Sequence, residues 1–327
     1  MKKKISLFMI GALASVVIVG CGNKTEESGE VSESGPFAGD DFYLKTDSLV
    51  MTHIHGLGYA GNDDAVYFAT HNGVAILVED DWYETAKERN DYMGFNAVES
   101  GFYTSGHPGM ESSFEVDPIG LVKSTDGGKT LESLDLLGVT DFHVKGVGYY
   151  TNTVYAYNPA PTDRLSETGL YMTNDDANTW TKAASKGLPS LENEQGHVMG
   201  AIAVHPRDEA TLAVGTAEGL FVSKDAGDTF TQADITAQVT ALTYQEDDLY
   251  VATYDQVAKL VHLTADGAQH ELTLPSIKAD DAISYIAVNP KDPNTIVITT
   301  MELDGYRNTD GGKTWEKLFT EGNIDSK

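Results

Sequence analysis

Cysteine is almost missing from this chain. Cys21 is the only one among 327 residues, and it closes an apolar N-terminal run, so the rest of the polypeptide offers no disulfide, no thiolate nucleophile and no thiolate metal ligand. Any chemistry must come from histidine, carboxylates, hydroxyls or backbone. Basic side chains are scarce too: Lys and Arg number 22 against 50 Asp and Glu, a formal net charge of −28. Such a surface repels phosphate backbones and anionic headgroups, which argues against a nucleic-acid partner and leaves membrane contact to a lipid alone. Beyond Ile5 to Val19, which is short for a membrane span, there is no long apolar run and no sustained helical period.

The N-terminus reads as a processing signal. Lys2 to Lys4 form a basic region, Ile5 to Val19 the apolar one, and Ile18-Val19-Gly20-Cys21 resembles a bacterial lipobox. The expectation is a lipoprotein signal peptide over residues 1–20 and a lipid-modified Cys21. Residues 21–40 then form a disordered linker rich in Glu, Ser and Gly, and a globular domain occupies 41–327. A flexible tether of about 18 residues reaches about 23 Å r.m.s.. The implied location is the extracytoplasmic face of a cell membrane, either a Gram-positive surface or a periplasm.

Four copies of one turn organise the globular domain: Ser124 to Leu131, Thr173 to Trp180, Ser223 to Phe230 and Asn308 to Trp315. Each places a hydroxyl or amide, then Asp two residues on (Asp126, Asp175, Asp225 and Asp310), then Gly or Ala, then Thr and an apolar residue. The Asp and the preceding polar residue can bond backbone groups of the turn, and Gly tolerates positive φ. The pattern resembles the Asp-box, or BNR repeat, of sialidase-like and sortilin-like β-propellers, which implies a fold and little chemistry. The copies begin at residues 124, 173, 223 and 308, so the last gap leaves room for a blade without the turn. The 275 residues from His53 to Lys327 divide into six repeats of about 46. The fold expected is therefore all-β, a six-bladed propeller. Inner strands should start near His53, Asp91, His143, His197, Gln238 and Asp281, with Phe42 to Met51 as an added outer strand on the last blade.

Aligned by the glycines at 56, 94, 146 and 200, one inner-strand slot holds His53, Asp91, His143, His197, Gln238 and Asp281 in turn. His55 stands two residues from His53 on the same side of its strand. The loops joining second and third strands, which open on the same face, carry His71 and His107. Six of the nine histidines are thus expected at one mouth of the central channel. Neutral imidazoles with a carboxylate and no thiolate suit Zn²⁺, Cu²⁺ or Ni²⁺, and Zn²⁺ or Cu²⁺ is the expected ion. The candidate ligands are His53, His55, His71, His107 and Asp91, with His143 and His197 as a second group further round the ring. A second reading is glycoside hydrolysis by paired carboxyl groups. Asp91 and Asp281 are its catalytic candidates, and Glu111, Glu115 and Asp117 supply further carboxylates on the same face.

Several segments carry a wider resemblance to bacterial lipoprotein propellers of the glycosylhydrolase-like group: His53-Ile54-His55-Gly56-Leu57-Gly58, Ala69-Thr70-His71, Met93-Gly94-Phe95, Ser105-Gly106-His107-Pro108-Gly109, Lys123 to Thr130 and Asp141-Phe142-His143-Val144. The chain departs from true sialidases, because Arg89, Arg164, Arg207 and Arg307 do not occupy the paired inner-strand slots of a three-arginine clamp and the Arg-Ile-Pro signature is missing. If the chain is an enzyme, the resemblance implies a glycoside hydrolase other than a sialidase. Likeness to sortilin-like and photosystem-assembly propellers implies a third possibility, a rigid scaffold for an unspecified protein partner. The ligand at the mouth is accordingly a metal ion, a small molecule or a glycan.

Overall fold

Short strands rich in Val, Ile, Tyr and Phe, separated by Gly, Asp and Asn turns, dominate the computed structural model, which describes residues 37, 39–62, 64–193 and 195–324. The residues expected to form the signal peptide, Cys21 and nearly all of the expected linker lie outside the described residues. Residues 40–327 form one unit of six antiparallel sheets. Each sheet runs from an inner strand outward through four strands in chain order, a meander to which blade one adds a fifth strand. The inner strands are Ile54–Gly58, Arg89–Val98, Lys145–Val147, Ala201–Val204, Gln238–Gln245 and Ile283–Val288. Each touches the inner strand of the next blade, and the first touches the sixth, which closes a six-bladed β-propeller. Core residues alternate along these strands and pack between neighbouring blades: Phe68, Trp82 and Phe319 fill one gap, Tyr103, Phe142 and Leu165 another.

Inner strands begin between two residues before and four residues after the expected positions: the second starts at Arg89, ahead of Asp91, and the fourth at Ala201, after His197. One expectation is corrected. Tyr43–Thr46 pairs with Asp81–Thr85 as a fifth, outermost strand of blade one rather than of blade six. Its anchor is Tyr43, which is buried and donates its hydroxyl to the carbonyls of Asp126 and Gly127 in the adjacent blade. Contact with the C-terminus comes from the residues after that strand, where Met51 N–H donates to Gly322 O and Ile324 N–H to Leu49 O.

The four repeated turns share one bonding pattern. The Asp126 carboxylate accepts from Thr130 N–H at 2.9 Å, Thr130 Oγ1 at 2.7 Å and Ser124 Oγ at 2.9 Å. Asp175 and Asp225 repeat all three bonds, and at Asp310 the amide of Asn308 replaces the serine hydroxyl. These turns join third and fourth strands, so they lie on the face opposite the histidines.

Two glycines fix how blades one to three meet. A Cβ on Gly56 would lie 2.8 Å from Phe95 Cβ and carbonyl oxygen, and one on Gly94, where φ is +53°, would lie 2.3 Å from the Phe142 carbonyl. The missing side chains let these three inner strands approach closely enough to gather one group of polar residues.

Candidate metal centre

His55 occupies a bulge, where the pairing of Ile54–Gly58 with Val66–Thr70 skips a residue between Ile54 and Gly56. That extra residue turns its ring toward the channel mouth. His71 comes directly after Thr70 in the turn, and His53 precedes the strand. The three imidazoles form one stack, with ring centroids 4.2 Å apart for His53 and His71, 4.7 Å for His55 and His71, and 5.9 Å for His53 and His55. Blade two brings Asp91 to the same point. Its Oδ1 lies 3.6 Å from His71 Nε2 and 3.9 Å from His55 Nε2.

Two of these atoms are out of place unless something joins them. His55 Nε2 and Asp91 Oδ1 are both buried and have no hydrogen-bond partner. Unpaired buried polar atoms cost on the order of 1–3 kcal/mol each, and here two of them face each other across blades one and two. Among the described residues, His55, His71 and Asp91 are the group whose donor atoms lie within 4.8 Å of one another. Bonds of about 2.0–2.1 Å in a tetrahedral site place neighbouring donors about 3.4 Å apart, which these atoms reach by small rotations. Burial, then the neighbouring His71 and His53 rings, pulls the His55 pKa down to about 4. Its lone pair is therefore free at neutral pH. Burial raises the Asp91 carboxyl above its ordinary value, against the pull of His71 and His107.

A second group adjoins the first. His107 lies opposite Asp91 in the pairing of the first two strands of blade two. Its Nδ1 is 2.6 Å from Asp117 Oδ1 and its Nε2 3.3 Å from Asp141 Oδ2, the oxygen that also receives His143 Nε2 at 2.6 Å. With both ring nitrogens facing carboxylates, the protonated form of His107 is favoured. Burial opposes that charge, but Asp117 and Asp141 outweigh it and raise the pKa. The hydrogen bond to Asp141 raises His143 likewise. Asp141 is held in place because the next residue, Phe142, is fully buried and donates its N–H to Ser105 Oγ.

The sequence placed six histidines here, and five converge. His197 does not: it sits exposed in the loop before Ala201–Val204, its N–H on Asn193 Oδ1. Glycine alignment gave its slot, but the chain from Leu191 to Met199 closes a small hairpin of its own first. Asp281 is 2% exposed, and its Oδ1 accepts from Ala282 and Glu302 N–H, so it caps backbone in blade six. Glu111 and Glu115 are exposed on their loop, and of the three loop carboxylates only Asp117 reaches an imidazole. Two residues were missed. Asp141 stands two positions before the aligned slot, and Lys145 lies buried below it, its Nζ donating to Asn96 Oδ1 at 2.8 Å and Tyr103 O at 3.1 Å. Burial holds that ammonium pKa well below the usual lysine range. The signal for Asp141 was its hydrophobic neighbour Phe142, whose burial anchors this part of the loop.

Beneath the mouth runs a cavity of about 700 Å³, lined by all six inner strands. His53, His55 and His143 open it, aliphatic side chains wall it, and Tyr59, Tyr149, Tyr150 and Tyr244 close its far end.

Comparison with solved structures finds two family 74 enzymes of similar fold. A xyloglucanase of glycoside hydrolase family 74 from Xanthomonas campestris superposes with a TM-score of 0.53 at 16% identity, covering 85% of this chain and 46% of that one. The family 74 enzyme from Niastella koreensis gives 0.56 at 16% identity over 86% and 47%. YCF48 from Cyanidioschyzon merolae is matched at 0.45 with 12% identity, over 86% of this chain and 89% of that one. The chain thus spans less than half the length of the two family 74 enzymes. No protein-family model and no curated protein sequence matches it.

Proposed function

We propose that this propeller binds a divalent transition-metal ion, Zn²⁺ or Cu²⁺, at the channel mouth through His55, His71 and Asp91, with His53 as the adjoining fourth donor. The observation that carries the reading is the facing pair of buried, unpartnered atoms, His55 Nε2 and Asp91 Oδ1, with His71 Nε2 beside them. Two imidazoles and a carboxylate without thiolate form a donor set for these ions, and a donor with its lone pair free at neutral pH needs no proton displaced. The His107–Asp141–His143 group flanks the ion without joining it. A glycosidase would need two carboxyl groups facing one sugar, and here Asp91 faces imidazoles while Asp281 is buried in blade six with its Oδ1 on backbone N–H groups.

Protein purified without chelator should carry about one metal ion per chain by elemental analysis. His55→Ala, His71→Ala and Asp91→Asn should each abolish it without unfolding the domain. Metal-free protein whose melting does not respond to added Zn²⁺ or Cu²⁺ would refute the reading.

The centre is further proposed to work outside the cytoplasm, held to a membrane by lipid on Cys21, given the lipobox-like Ile18 to Cys21. Cys21→Ser should then release the protein from the membrane fraction. Unchanged sedimentation with membranes would count against the anchor.

A further inference from the structure

Among the described residues, nine large apolar side chains are exposed, and eight of them lie on loops or a strand end of the histidine-bearing face: Val50, Met110, Val116, Leu137, Val139, Met199, Val257 and Met301. The ninth, Leu44, is on the outermost strand of blade one. The sorting has its origin in topology. Seven of the eight fall at the entry to an inner strand or between second and third strands, Met110 ends the second strand of blade two, and those connections all open on one face. The opposite face, which carries the four Asp turns, has none of the nine. Scattered apolar residues are ordinary on any surface, but confinement to one face marks a surface that is covered in use.

The residues beside these side chains say what covers it. Met110 is followed by exposed Glu111, Val116 is flanked by exposed Glu115 and Asp117, Met301 is followed by exposed Glu302, and exposed Asp255 stands two residues before Val257. Apolar anchors rimmed by carboxylates, on a chain of net charge −28, complement a surface of apolar side chains rimmed by Lys and Arg. Met199 and Met301 also line the central cavity with His53, His55 and His143, so the apolar ring continues into an aliphatic-walled channel. Methionine is adaptable in shape, which suits a contact that forms and releases.

We propose that the histidine-bearing face is the docking surface of a polypeptide partner, whose contact segment presents apolar side chains flanked by Lys or Arg and covers the channel mouth. The same carboxylates repel an anionic bilayer and a second copy of this chain. The proposal does not depend on a metal at the mouth.

The test places a benzophenone amino acid at Met199, Val257 or Met301 in the full-length chain, in the cells that make it. Lys224 and Lys313, exposed in two Asp turns of the opposite face, serve as control positions. Irradiation should give one common polypeptide adduct from the three test positions and none from the controls. The cross-linked peptide should carry apolar residues next to Lys or Arg. The purified partner should bind the native protein less tightly as salt rises, and Val257→Asp with Met301→Asp should weaken it about ten-fold or more while melting and metal content stay unchanged. Equal labelling from both faces, adducts only with lipid or with this chain itself, no adduct at any position, or a partner indifferent to salt and to the double substitution would each overturn it. Loss of metal in His71→Ala with docking intact would show the two readings to be separate.

Discussion

His143 Nε2 lies 2.6 Å from Asp141 Oδ2, and that bond decides the state of the second imidazole group at the mouth. The carboxylate raises the His143 pKa, with further support from Asp91, against the cost of partial burial. His107 shares the same oxygen but has Asp117 on its other nitrogen.

Asp141→Asn should therefore lower the pKa of His143 distinctly and that of His107 less, because Asp117 still holds it. Imidazole proton shifts tracked by NMR through a pH titration measure both. A His143 titration unchanged by the substitution would show that Asp141 is not its controlling partner.

His55 makes stability fall on the acid side. Its pKa is about 4 in the folded chain against an ordinary 6.5, so between these values the unfolded state binds more protons. Stability then rises with pH across that window, and the full penalty below it is roughly 3 kcal/mol. In chelator, chemical denaturation of His55→Gln should show a flatter profile between pH 4 and 6.5 than the wild type. Parallel profiles would mean that the ring is less confined than its burial implies.

Gly94 sets the distance between blades two and three. Alanine there would meet the Phe142 carbonyl and keep an unfavourable positive φ, at a cost of roughly 2–4 kcal/mol. Gly267 has φ of +88° with nothing within 4 Å of a Cβ, so its alanine variant carries only the backbone cost, about 1 kcal/mol. Urea midpoints of the two variants give the comparison. Equal losses would place the cost of Gly94→Ala in backbone conformation alone and remove the close approach from the account of how the site assembles.

Much of this protein was legible along the chain because its fold is made of local decisions. The Asp126 carboxylate bonds Thr130 and Ser124 within one turn, so a short pattern carries the whole interaction. Repetition of the pattern then gave the period and the number of blades. Strands found this way begin close to their expected positions, and His53, His55 and His71 were placed together because blade one alone supplies them.

What lay beyond sequence was anything that depends on how one blade sits against the next. The outermost strand went to blade one because Tyr43 reaches the turn of blade two. His197 was lost to a loop hairpin and Asp281 to backbone capping, although both share the slot of His53 in alignment. Asp141 entered because Phe142 is buried between blades and carries its neighbour inward.

The chain by itself determined the four-stranded repeat, its six-fold recurrence and an imidazole-rich face, since strand alternation and turn bonding act over a few residues. Only the tertiary structure decided which imidazoles and carboxylates meet. That choice rests on the approach of inner strands at Gly56 and Gly94, where a Cβ would run into the neighbouring blade and push the strands apart.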